Sequence, residues 1–198
     1  MSTPKPVSKP GSKPSRREAI LTAVIELLAT RGLDGVTHRA VDEAAGLPQG
    51  SSTYYFPKKA SLLTAAAQHL ATLLEKDCEA LQVGFAQRAA QQGLEAAVAY
   101  VAEEVVAYAD ESRQLFLARI ELTLAAARRD DLAGVGAQLT AAARRPIAFF
   151  LRLISDGSTE VPIETCAGLI DGIALMHATG QGPKPTTDQI AAVFRSIL

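Results

Sequence analysis

Residues 35–63, GVTHRAVDEAAGLPQGSSTYYFPKKASLL, constrain this chain more than any other stretch. They read as two short helices about a tight turn, an aromatic cluster, and a Pro-Lys-Lys start to a third helix. Thr37 is placed to cap the first short helix, since its hydroxyl can accept from an orphaned backbone N–H. Val41, Ala44 and Ala45 give that helix one apolar side at i, i+3, i+4 spacing. Gly46 ends it as a residue free to adopt positive φ. Pro48 stands where a new helix is expected to begin, because a proline at the first helical position forfeits no hydrogen bond. Helix, glycine turn and helix together predict a helix-turn-helix, the unit that lays its second helix in a DNA major groove.

The surface of the second helix suits that task. Gln49, Gly50, Ser51, Ser52 and Thr53 are small or hydrogen-bonding, and the ~12 Å major groove displays donors and acceptors that such side chains can read. Tyr54 and Tyr55 bring hydroxyls to phosphate height, and Lys58 and Lys59 bring charge to the next helix start, where free N–H groups and the helix dipole also attract phosphate. Thr37 and Arg39, at the head of the first short helix, complete the expected DNA-binding set. The turn taken alone is equally compatible with an ordinary pair of surface helices. The aromatic cluster and the lysines are what tip the reading towards DNA.

The flanks extend the pattern. A first helix is expected over 15–31, with Ile20, Val24, Leu27 and Leu28 packing on the helix-turn-helix and Gly32 closing it. A long helix from Lys58 continues through Leu62, Leu63, Ala66, Leu70, Leu73, Leu74 and Leu81, joining the reader to the rest. Further helices are expected near 93–111, 113–129, 131–155, 162–179 and 187–198. The breaks fall at Gly93, Glu111-Ser112, Asp130-Asp131, Asp156-Gly157-Ser158 and 180–183. No alternating strand pattern survives, so the fold class is all-α.

From about Arg16 to Leu70 the chain resembles the N-terminal domain of the TetR family of bacterial transcriptional regulators. The matching residues are Arg31-Gly32, Gly35, Thr37, Ala45-Gly46-Leu47-Pro48, Gly50, Tyr54-Tyr55-Phe56 and Lys59 followed by Leu62-Leu63. Two positions depart from the family pattern. Ser52-Thr53 stand where Leu-Tyr is usual, which removes an apolar anchor and an aromatic phosphate contact. Asp42 stands where a small apolar residue is common.

Composition marks a disordered basic Pro-rich arm over 1–14, and the resemblance implies a three-helix helix-turn-helix DNA-binding domain over 15–60 and a helical effector-binding and dimerisation domain over 61–198. It also implies a homodimer through the two C-terminal body helices, in which Leu169-Ile170-Asp171-Gly172 resembles a common sequence. A palindromic double-stranded operator and a small-molecule effector that releases a repressor complete what it implies. The apolar segments AARRPIAFFLRLIS and ETCAGLIDGIALMHATG could also serve an intramolecular core, but the dimer interface is the preferred reading, because one small helix-turn-helix alone reads too few base pairs. Effector-pocket candidates are Phe85, Tyr100, Glu104, Tyr108, Phe116, Arg119, Glu121, Met176 and His177, each with an alternative place in the core or on a solvated face. A regulator without an effector is the competing reading.

Charge distribution fits a reader attached to a body. Residues 1–60 carry nine Lys and Arg against five Asp and Glu, whereas the remainder carries eleven against sixteen. Such asymmetry suits a chain only one end of which meets phosphate. The arm, MSTPKPVSKPGSKPS, is either a solvated tail or, through Lys5, Lys9, Lys13, Arg16 and Arg17, a source of added phosphate or minor-groove contacts. Cys78 and Cys166 lack ligand-like spacing to His38, His69 or His177, so no metal site, cofactor or disulfide is expected. The absence of a nucleophile elbow, phosphate loop or metal-ligand helix motif argues against an enzyme. No apolar signal core or membrane-length run occurs, and a cytoplasmic location is expected.

Overall fold

The computed structural model describes residues 15–154 and 162–197. It contains α1 (Arg16–Gly35), α2 (His38–Ala44), α3 (Ser51–Tyr55), α4 (Lys59–Gln92), α5 (Leu94–Glu111), α6 (Arg113–Ala126), α7 (Val135–Ile154), α8 (Ile163–Ala178) and α9 (Thr187–Ile197). No strand occurs among the described residues. The arm over 1–14 and the break at Asp156-Gly157-Ser158 lie outside them.

Local chemistry sets the boundaries. Ser15 and Glu18 cap α1 reciprocally: the Glu18 N–H donates to Ser15 Oγ at 3.2 Å, and the Ser15 N–H donates to Glu18 Oε2 at 2.7 Å. This capping box satisfies two orphan donors at once. Gly32 breaks α1 by taking φ +65°, and one more turn runs on to Gly35. The helix expected over 113–129 stops at Ala126, and the one expected over 131–155 starts at Val135. Between them a 3-10 turn over Asp130–Leu132 is held by Arg129, whose guanidinium donates twice to Asp131. Gly134 follows at φ +83°, a conformation that no helix interior accepts.

Two apolar cores stack along α4. In the first, Ile20, Val24, Leu27 and Leu28 of α1 meet Val41, Phe56, Leu62, Leu63 and Leu70, as the stripe on α1 predicts. Ala118, Leu122 and Ala125 of α6 and Leu139 of α7 close the same core. Packing therefore runs without a break across residue 60, where the sequence suggests a change of domain. In the second core Phe85, Val101, Phe150, Leu151, Cys166, Ile170, Ile190 and Phe194 join α4, α5, α7, α8 and α9. At 1.5 Å per residue, the 34 residues of α4 span roughly 50 Å. That length carries it from the helix-turn-helix into the second core. Among the described residues no helix is long and apolar enough to cross a membrane, and no group of His, Cys, Asp and Glu is arranged to hold a metal ion.

A candidate nucleic-acid interface and a cavity in the helical body

The helix-turn-helix is locked by one carboxylate. Thr37 caps α2 as expected, its Oγ1 accepting from the Ala40 N–H at 3.1 Å, and Gly46 ends the helix at φ +64°. The second helix, however, starts at Ser51 rather than at Pro48. Gly50 sits at φ +92°, outside helical space, so Pro48, Gln49 and Gly50 belong to the turn. Nothing on Gly50 can cap α3. Asp42 does so from α2: its Oδ2 accepts the Gly50 N–H and its Oδ1 the Ser52 N–H, both at 2.7 Å. Asp42 is 1% exposed. Burial pushes its carboxyl up, but the bonds from Ser52 and Gly50 and the nearby His38 more than offset this and hold it below the ordinary Asp value. The residue that departs from the family pattern is therefore the one that fixes α3 on α2.

Ser52 needs a correction as a base reader. It is fully buried, and its Oγ donates to the His38 carbonyl at 3.1 Å. The apolar anchor usual at this position is replaced by a hydrogen bond, which faces the side chain away from any groove. Lys59 is drawn inward too, its Nζ donating to the Leu33 carbonyl at 2.9 Å. His38 Nε2 lies 2.7 Å from the Phe56 carbonyl, and the Arg17 guanidinium stands 5.4 Å from the Phe56 ring centroid. The aromatic cluster thus splits. Phe56 is core, whereas Tyr54 is 83% exposed and packs edge-on to Tyr55.

The solvent-facing set that remains is Thr37, Arg39, Gln49, Gly50, Thr53, Tyr54, Tyr55 and Lys58, with Ser51 half-buried and its Oγ donating to the Pro48 carbonyl. These residues present a short helix end flanked by aromatic hydroxyls and one free lysine. The two lysines should separate experimentally. Lys58→Ala is expected to weaken binding to all DNA alike and to lower the salt slope by about 0.9 in a titration over salt concentration. Lys59→Ala is expected mainly to lower unfolding stability, by about 1 kcal/mol for one lost hydrogen bond.

A cavity of about 320 Å³ lies between α4, α5, α6, α7, α8 and α9. Tyr100, Glu104, Tyr108 and Arg119 line it, as the sequence suggested. Arg119 is 6% exposed and forks onto Asp171, with Nη2 to Oδ1 at 2.6 Å and Nη1 to Oδ2 at 3.1 Å. Burial pushes the Tyr108 phenol up to about 12, so it stays protonated. The other candidates are corrected. Phe85 packs on Phe149 and Phe150, and Phe116 lies against the Arg119 guanidinium, both outside the lining. Met176 is exposed, and His177 Nε2 pairs with Asp110 at 2.9 Å. Glu121 faces Gly32, across the packing of α6 on α1. Asp77, Cys78, Pro146, Ile147, Phe150, Ile170 and Asp171 line the cavity unforeseen. No local signal separates them from core or surface, since only the arrangement of the helices converges them.

A buried helix-turn-helix scaffold with an exposed second helix, fused to a helical body with a cavity, defines a DNA-binding regulator. The profile described as "Bacterial regulatory proteins, tetR family" matches residues 20–66, and that described as "Tetracyclin repressor-like, C-terminal domain" matches residues 92–198. The chain belongs to the TetR family and is a DNA-binding transcriptional regulator rather than an enzyme. It is 28% identical to the HTH-type transcriptional regulator BetI of Brucella abortus, over 93% of this chain and 91% of that one. A TetR-family structure from Streptomyces coelicolor A3 superposes with a TM-score of 0.65 at 25% identity, covering 93% of this chain and 99% of that one. The multidrug binding protein EbrR complexed with ethidium gives 0.66 at 24% identity, covering 94% and 100%.

Proposed function

We propose that this regulator is a repressor that binds a palindromic operator as a homodimer and leaves it when a small molecule fills the cavity. The observation that carries the reading is that the cavity and the DNA reader share helices. Leu74, Asp77 and Cys78 of α4 line the cavity, while Leu62 and Leu63 of the same helix pack beneath the helix-turn-helix. Arg119 of α6 lines it as well, and its neighbours Ala118 and Leu122 pack with α1. A guest that shifts either helix re-aims α3, so ligand and operator oppose each other reciprocally, typically by about 1–3 kcal/mol. The structures of EbrR with ethidium, proflavin and malachite green support a small-molecule role for this fold. The division at residue 60 is then functional: reading before it, sensing and pairing after it.

The dimer reading rests on α8. Thr165, Gly168, Leu169, Gly172, Leu175 and Met176 are exposed along one stripe of the helix. A Cβ added at Gly168 or Gly172 meets nothing within 4 Å. A smooth apolar stripe of this kind suits close packing against a second copy. Leu169→Arg is expected to give a monomer in light scattering and to lose operator binding, because one short α3 reads too few base pairs. A dimeric Leu169→Arg protein with full operator affinity would remove α8 from the interface. For release, the test is a labelled operator duplex bound by the protein and challenged with a ligand shown to occupy the cavity. Dissociation supports the reading, and an unchanged complex at saturating ligand contradicts it.

A further inference from the structure

The cavity has a charge imbalance that assigns its ligand class. Four carboxylates line it, Asp77, Glu104, Glu111 and Asp171, and Arg119 is the only cation among the described lining residues. Arg119 is already neutralised by both oxygens of Asp171. The pair therefore presents no net positive charge to an incoming anion, and three carboxylates remain in excess. Asp77 and Glu111 have no hydrogen-bond or ion-pair partner among the described residues. Glu104 shares only the Tyr100 hydroxyl. Of the neighbouring cations, Arg145 pairs with Glu75 and Arg144 with Glu164, while Arg88 stands over one face of the lining Tyr100 ring, 5.1 Å from its centroid.

Asp77, Glu104 and Glu111 are exposed, and sequence spacing gathers the two glutamates on one face of α5. Tyr100, Glu104, Tyr108 and Glu111 recur at i, i+4, i+8 and i+11 on α5, so they occupy one face of the helix. Asp77 lines the cavity from α4. Leu74, Leu81, Val101, Ile147, Phe150 and Phe194 supply the apolar remainder. Burial raises the Asp77 carboxyl above its ordinary value, which a cationic guest would reverse. An apolar wall, tyrosine faces and surplus carboxylates are what a lipophilic cation needs. Its charge is met by carboxylate and ring quadrupole, and its hydrocarbon by the core.

We infer that the effector cavity takes a lipophilic organic cation, a quaternary ammonium or a delocalised aromatic amine, held between the α5 stripe and Asp77. This rests on the proposed function in that it treats the same cavity as the effector site. The test is fluorescence anisotropy on the full chain with rhodamine 6G as cationic probe and 8-anilinonaphthalene-1-sulfonate as apolar anion. Operator dissociation is read separately in the same samples.

Rhodamine 6G is expected to bind at least tenfold tighter than the anion. Asp77→Asn and Glu104→Gln are each expected to weaken it about fivefold or more, in line with an ion pair partly exposed to solvent. Asp188→Asn, which removes an exposed carboxylate outside the cavity, should leave it unchanged. These variants are isosteric, and their melting temperatures check that the fold is intact. Anion binding as tight as cation binding, or cation binding indifferent to both substitutions, overturns the ligand class while the effector cavity stands. Failure of both probes overturns it as well, and withdraws the support for an effector cavity. Cation binding without operator dissociation upholds the site and contradicts only the release mechanism.

Discussion

Asp42→Ala is expected to reduce operator affinity to the level of random DNA and to destabilise the chain by about 2–3 kcal/mol. The substitution leaves the N–H groups of Gly50 and Ser52 without the carboxylate that accepts both at 2.7 Å. Bonds to charged acceptors, and the burial of a donor left unpaired, each fall in this range. With Gly50 unable to cap α3 by a side chain, only the Ser52 Oγ bond to the His38 carbonyl and the His38 contact with the Phe56 carbonyl are left to hold that five-residue helix on α2. Asp42→Asn keeps one acceptor oxygen and is expected to recover about half of the stability. Chemical denaturation and anisotropy on one operator duplex check both parts.

A pH dependence follows from the same carboxylate. Its folded value lies below its unfolded one. Its stabilisation is therefore complete above the ordinary Asp pKa, about 3.9, and is lost as pH falls through the folded value. Denaturation midpoints of wild type and Asp42→Asn should converge on acidification below about pH 4. If they stay parallel as pH falls well below about 4, Asp42 is not the cap.

Asp171→Ala is expected to cost about 3 kcal/mol, although the Asp171 side chain is 43% exposed. The loss comes from the partner. Arg119 lies in the cavity wall against Phe116, and without Asp171 its buried guanidinium loses the carboxylate that takes two of its hydrogen bonds. Replacing both, as Arg119→Met with Asp171→Leu, removes the charge and its need together and should restore most of the stability. A double-mutant cycle by thermal denaturation gives the coupling directly. If Asp171→Ala melts with wild type, the pair does not hold α6 to α8. Because α6 also packs on α1, the single variant should additionally weaken operator binding.

What was legible in the sequence was what local chemistry decides. Thr37 and Gly46 mark α2 because capping hydroxyls and positive φ depend only on the residue itself. The Ile20, Val24, Leu27, Leu28 stripe marks α1 because helical periodicity does. What escaped was set at longer range. Pro48 carries a valid helix-start signal, yet Asp42 reaches across the turn and begins α3 three residues later. Ser52 and Lys59 look like surface groups until the His38 and Leu33 carbonyls are found beside them. In the body, Tyr100, Glu104, Tyr108 and Arg119 were identifiable as polar groups on apolar helices. Asp77, Pro146 and Asp171 were not, since they meet only where helices far apart in sequence converge. Phe85 and Phe116 failed as pocket residues because large aromatics fill space beside a cavity more often than they line it.

In the proposed function two copies of α3 read a two-fold-symmetric operator. Selection of genomic fragments by the purified full chain, at two salt concentrations and against excess random DNA, tests it most directly. A two-fold reader should enrich a palindrome with half-site centres ~34–36 Å apart or a multiple of that spacing, bound more weakly as salt rises. Recovery of fragments with no shared sequence, displaced by random DNA at both salts, would contradict it.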